Sequence, residues 1–86
     1  MTSFTGRVAV VTGGTRGIGR AVAARFEAAG ATVVTLARSE PTAAVGRFIA
    51  ADLGSRSAIR EAFQTIAGEF GRVDVLVNNA GGARPA

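Results

Sequence analysis

Histidine and cysteine are absent from the 86 residues, and so are tyrosine, tryptophan and lysine. Without cysteine there is no disulfide scaffold and no thiolate metal site. Without histidine, imidazole zinc sites and Ser-His or Cys-His catalysis fall away. The remaining absences remove a phenolic acid, a Schiff-base lysine and the lysine of a Walker-type phosphate loop. No apolar run approaches the roughly 20 residues of a membrane-spanning helix. The start of the chain, Met1 to Arg7, lacks the charged-then-apolar order of a secretory signal. Together with the missing cysteine, this predicts a cytoplasmic protein with no membrane partner.

What is present is ordinary for a single small globular unit. Apolar residues make up 48% of the chain and charged residues 19%, which is incompatible with a disordered composition. A chain of this length buries roughly 60–65% of its unfolded surface, so it holds one domain at most. Ten arginines against six acids give a net charge of +4. The arginines are scattered from Arg7 to Arg84, without runs and without interleaved aromatics. That distribution argues against nucleic acid as the partner.

Val8–Thr12 is a short β-branched run between Gly6 and Gly13 and predicts a strand buried on both faces. From Gly17 to about Ala29, Ile18, Val22, Phe26 and Ala29 share one helical face, and Gly30 supplies a stop. Thr32–Leu36 predicts a second strand and Arg47–Ala51 a third. Ser55 is placed to cap a second helix, in which Ile59, Ala62, Phe63, Ile66, Ala67 and Phe70 form the apolar stripe before Gly71. Val73–Val77 predicts a fourth strand. Alternating strands and helices imply a parallel α/β sheet with right-handed crossovers. The link from Arg38 to Gly46 is too short for a full crossover helix. It has room for one turn at most, around Thr42 to Val45.

The strongest chemical signal is Thr12-Gly-Gly-Thr-Arg-Gly-Ile-Gly19, directly after the first strand and opening the first helix. Gly13 permits a tight turn, Gly17 lets a diphosphate approach the backbone, and Gly19 lets the helix pack close to the sheet. The helix N-terminus adds unpaired N–H groups and the positive end of a dipole. Asn78-Asn-Ala-Gly81 follows the fourth strand, and Asp52-Leu53 follows the third.

These three features together resemble the short-chain dehydrogenase/reductase family, over essentially the whole chain. The resemblance implies a Rossmann-like, doubly wound sheet of strand order 3-2-1-4 with two main helices. Residues 1–86 would be the N-terminal part of one NAD(P)-binding domain. Gly13, Gly17 and Gly19 would line the diphosphate, with Ile18 towards the nicotinamide. Asp52 and Leu53 would flank the adenine, and Asn79, Ala80 and Gly81 would border the adenosine ribose. Thr15 in the turn and Ser39 beside Arg38 complete the expected cofactor contacts.

An acid ending the second strand would hydrogen-bond the ribose hydroxyls and repel a 2′-phosphate. Here Ala37 stands there, followed by Arg38, and Arg16 lies in the turn. Two guanidiniums favour NADP(H), with NAD(H) second.

The family catalyses hydride transfer between the nicotinamide and a carbonyl or alcohol, using a Ser and a Tyr-x-x-x-Lys pair. This chain has no Tyr and no Lys, and Ser3, Ser39, Ser55 and Ser57 do not stand where the family's serine would. No catalytic residue is therefore assigned, and the chain alone is expected to be inactive. The competing reading is a standalone nucleotide-binding module with a regulatory role. Full-length relatives are expected to be homo-oligomers. This chain is expected to self-associate through its fourth-strand edge, where Val73, Val75, Leu76 and Val77 would face water.

Overall fold

The computed structural model describes residues 3–13, 17–39 and 44–79. The elements run β1 (Val8–Thr12), α1 (Gly17–Ala28), β2 (Thr32–Ala37), β3 (Arg47–Ala50), α2 (Arg56–Phe70) and β4 (Val75–Asn78). All strand pairs are parallel. The four strands lie in the order β3-β2-β1-β4, as the alternation of elements and the family resemblance predict.

Strand alternation divides the core into two layers. Val8, Val10, Val34 and Leu36 face α2, where Ala51, Ala62 and Ile66 complete a buried cluster. Ala9, Val11 and Val33 face α1 and pack with Ala23, Val22, Phe26 and Phe4. Val45, from the short link, joins this second cluster. The first helix and Val45 therefore share one face, and α2 crosses on the other. The expected turn at Thr42–Val45 falls largely outside the described residues.

Helix α2 starts and stops by local chemistry. The Ser55 hydroxyl accepts from the Ala58 N–H at 3.2 Å, filling one of the orphan donors of a first turn. At the other end Gly71 adopts φ 79° and donates its N–H to the Ala67 carbonyl, the left-handed stop that a side chain disfavours. The bidentate pair of Arg47 with Glu69, at 3.0 and 2.7 Å, ties the start of β3 to the end of α2.

Strand β4 begins two residues later than the apolar run suggests. Asp74 sits just ahead of it and makes the first cross-links to β1. Its N–H donates to the Val8 carbonyl at 2.9 Å, and its Oδ2 accepts from the Val8 N–H at 2.8 Å. Val73 lies outside the ladder and is exposed. Of the β4 side chains, Leu76 is 55% exposed. Val75 and Val77 are half-buried against the α1-side cluster, so of the four residues Val73, Val75, Leu76 and Val77 expected to face water, Val73 and Leu76 do and the other two do so only in part. Among the described residues, no helix is long and apolar enough to cross a membrane.

Candidate functional site

Parallel pairing brings the carboxyl ends of all the strands to one edge of the sheet. In the ladder Thr12 stands opposite Leu36 and Asn78, and Ala37 opposite Ala50. The residues that follow each strand therefore gather along one rim: Gly13 after β1, Arg38 and Ser39 after β2, Asp52 and Leu53 after β3, and Asn79 after β4. The rim at the carboxyl ends of the strands is where open α/β sheets bind ligands.

Gly13 and Gly19 bring the end of β1 and the first turn of α1 into close contact. Gly13 has φ 67° and donates its N–H to the Leu36 carbonyl at 2.7 Å. Gly19, in the first turn of α1, is buried. A Cβ placed there would lie 2.2 Å from the Gly13 carbonyl oxygen and 2.8 Å from Asn79 Nδ2. The helix can thus begin against β1 only because position 19 has no side chain. At Gly17 an added Cβ would meet nothing within 4 Å. The missing side chain there leaves open space at the helix N-terminus, where backbone N–H groups and the helix dipole attract an anion.

Thr12 links β1 to β4. Its hydroxyl donates to Asn78 Oδ1 at 2.9 Å and accepts from the Asn79 N–H at 3.0 Å. The Asn78-Asn79 pair therefore takes its position from a hydroxyl at the end of an otherwise apolar strand. The sequence reading names Thr12 only as part of the glycine-rich motif and assigns it no role. The signal lies in the strand itself: Thr12 closes a run buried on both faces, and the large majority of buried hydroxyls are hydrogen-bonded.

On the other side of the rim, Arg38 and Asp52 meet. Arg38 Nη2 lies 3.4 Å from Asp52 Oδ1. The same Oδ1 accepts the Gly54 N–H at 2.9 Å. The Gly54 N–H first, and the Arg38 guanidinium after it, hold the Asp52 carboxyl below the ordinary carboxylate range. Leu53 is half-buried and packs on the α2-side cluster. It lines a groove with Thr12, Ile59, Phe63, Leu76 and Asn78. Ile18 is 77% exposed on the first turn of α1, and Ser39 is exposed beside Arg38. Thr15, Arg16, Ala80 and Gly81 lie outside the described residues. Among the described residues, no cluster of acids could hold a metal ion.

Residues 7–86 match the short chain dehydrogenase family. The chain belongs to that family. This short-chain dehydrogenase chain is 42% identical over 87 aligned residues to the 3-oxoacyl-[acyl-carrier-protein] reductase FabG of Salmonella typhimurium, covering 92% of the chain and 36% of the relative. The ligand-free aldohexose dehydrogenase of Thermoplasma acidophilum superposes with a TM-score of 0.87 at 37% identity, over 91% of this chain and 31% of that one. A metagenomic short-chain oxidoreductase in complex with NADP superposes with a TM-score of 0.83, also at 37% identity, over 93% of this chain and 41% of that one. The chain thus spans about a third of the length of the curated relatives it matches.

Proposed function

We propose that these residues form the cofactor-binding part of a short-chain oxidoreductase that takes NADP(H). The rim geometry carries this reading: an open helix N-terminus at Gly17, an exposed arginine where β2 ends, and an oriented carboxylate where β3 ends. These residues fit a phosphorylated dinucleotide. Gly13, Gly17 and Gly19 shape the diphosphate cradle, Thr15 and Arg16 belong to the same turn, and Ile18 lies on the nicotinamide side. Asp52 can accept from the adenine amine, with Leu53 against the ring. Asn79, Ala80 and Gly81 border the adenosine ribose. Arg38, with Ser39 beside it, faces the 2′ position, where Ala37 offers no competing acid. The solved relative that holds NADP supports this choice of cofactor.

When bound, the cofactor supplies or accepts the hydride; these residues bind and orient it. None of these 86 residues is assigned to move the substrate proton, because the family's Tyr and Lys do not occur among them. The reaction class is reduction of a carbonyl or oxidation of an alcohol.

The test is titration of NADPH and NADH into the chain and into Arg38→Asp. Loss of a charge-assisted phosphate contact should weaken NADPH binding by about ten- to a hundredfold, with NADH little changed. Equal NADPH affinity in the two proteins would remove Arg38 from the site.

A further inference from the structure

We propose that Asp52 is a positioning residue for cofactor choice: it competes, from within the protein, with a ligand phosphate for the guanidinium of Arg38. The inference rests on the cofactor reading above and adds a determinant of selectivity to it.

The two partners are held very differently. Asp52 is a fixed post. Its carbonyl accepts the Ser55 N–H at 2.9 Å, and its Oδ1 accepts the Gly54 N–H at 2.9 Å. Its position is set by the backbone that leads into α2. Arg38 is the movable arm, with a side chain 80% exposed and a single 3.4 Å approach to Asp52 Oδ1. Pairing of Ala37 with Ala50 sets the ends of β2 and β3 abreast, so the sheet itself delivers the two groups to each other.

A carboxylate and a phosphate monoester offer a guanidinium the same recognition chemistry, anionic oxygens that accept N–H donors. A 2′-phosphate reaching Arg38 must therefore displace or share it with Asp52, and it does so against the repulsion of a fixed like charge. The existing contact is long, one-point and exposed, which makes it weak and open to displacement. Asp52 thus lowers the advantage that Arg38 gives to the phosphorylated ligand.

Asp52→Asn separates this effect from the adenine contact. Asparagine keeps an acceptor for the Gly54 N–H and removes only the charge. Any change in the adenine contact affects ligands with and without a 2′-phosphate alike, so it cancels in their affinity ratio. Adenosine 2′,5′-diphosphate and 5′-AMP are the probes, titrated by calorimetry into the 86-residue chain, Asp52→Asn, Arg38→Ala and the double variant. Amide spectra would verify that each is folded. Asp52→Ser, which can cap the same turn, replaces Asp52→Asn if the latter does not fold.

The expected result is a rise of about three- to tenfold in the preference for the 2′-phosphorylated probe in Asp52→Asn, the size expected for one screened charge at this range. The rise should vanish when Arg38 is alanine. An unchanged or reduced preference overturns the role of Asp52 and leaves the cofactor reading standing. A rise that persists without Arg38 overturns the competition and leaves only general electrostatics. Failure of the parent chain to bind either probe overturns the cofactor reading, and this inference with it.

Discussion

Two buried threonines show how one side chain can be worth opposite amounts. Thr12 and Thr35 are both closed off from solvent. The Thr12 hydroxyl donates to Asn78 and accepts from Asn79. The Thr35 hydroxyl has no hydrogen-bond partner among the described residues. Replacing Thr12 with valine keeps the shape but leaves Asn78 Oδ1 and the Asn79 N–H without their shared partner. That should destabilise the chain by about 1–3 kcal/mol, and Thr12→Ser should recover most of the loss. Thr35→Val removes a polar atom that was desolvated without compensation, and should stabilise by about 1 kcal/mol. Denaturant midpoints of the three variants check both signs at once. The β-branched patterning of β1 and β2 makes the burial of both threonines legible in sequence. Which hydroxyl is satisfied is not, because the partners of Thr12 lie more than 60 residues away.

At the scale of elements, β4 is joined to β1 by a side chain as well as by its ladder. Asp74 accepts from the Val8 N–H, and its Oδ1 accepts from Arg72 Nη2 at 2.7 Å. The Arg72 contact first, then the Val8 N–H, hold the Asp74 carboxyl below the ordinary carboxylate range. A carboxyl whose folded pKa is depressed contributes stability that is fully present above its unfolded value, about 4, and is lost as pH falls through the folded value. Asp52 and Glu69 are shifted in the same direction. The chain should therefore lose stability as pH falls below about 4.5. Asp74→Asn should be less stable at neutral pH and should show a flatter acid dependence. Urea melts at several pH values measure this; an equally steep acid limb in the variant would remove Asp74 as a contributor. The apolar run Val73–Val77 announces the strand but not this clasp. The alternation pattern carries no information about a carboxylate that bonds to the backbone of a distant strand. Hence the sequence reading starts the strand two residues early.

Among the described residues the sheet ends on β4. That strand carries no charge along Val75–Asn78 and shows Leu76 to solvent. An uncharged apolar edge offers unpaired backbone groups to another chain, and a parallel sheet is stable when both faces are covered. At 86 residues there is little stability in reserve. The isolated chain should therefore self-associate through β4. Sedimentation should show mass increasing with concentration. Leu76→Lys, which puts a charge at the exposed position of the edge, should shift the chain towards monomer without loss of helical signal. A concentration-independent monomer with a cooperative transition of several kcal/mol would instead mark an autonomous unit and favour a standalone nucleotide-binding role.

The order of elements, the parallel sheet and the apolar face of α2 were legible in the sequence alone; on α1 the expected face holds for Val22 and Phe26, whereas Ile18 is 77% exposed and Gly19 and Ala23 are the buried residues. The legible features follow from short-range causes: period-2 and period-3.6 burial, a serine cap, and glycines where a turn or helix stop needs them. Gly19 belongs here too, since the motif predicts close helix packing and the structure places the Gly13 carbonyl where a Cβ would stand. Only the tertiary structure decided which distant groups meet. The sequence reading has no contact between Arg38 and Asp52; the fold sets the two together, because β2 and β3 end side by side. It likewise made Thr12 the support of the Asn78-Asn79 pair and Asp74 the clasp on Val8. Each of these contacts depends on which strands, far apart in the chain, end side by side in the sheet, and side-chain alternation along one strand does not name its neighbours.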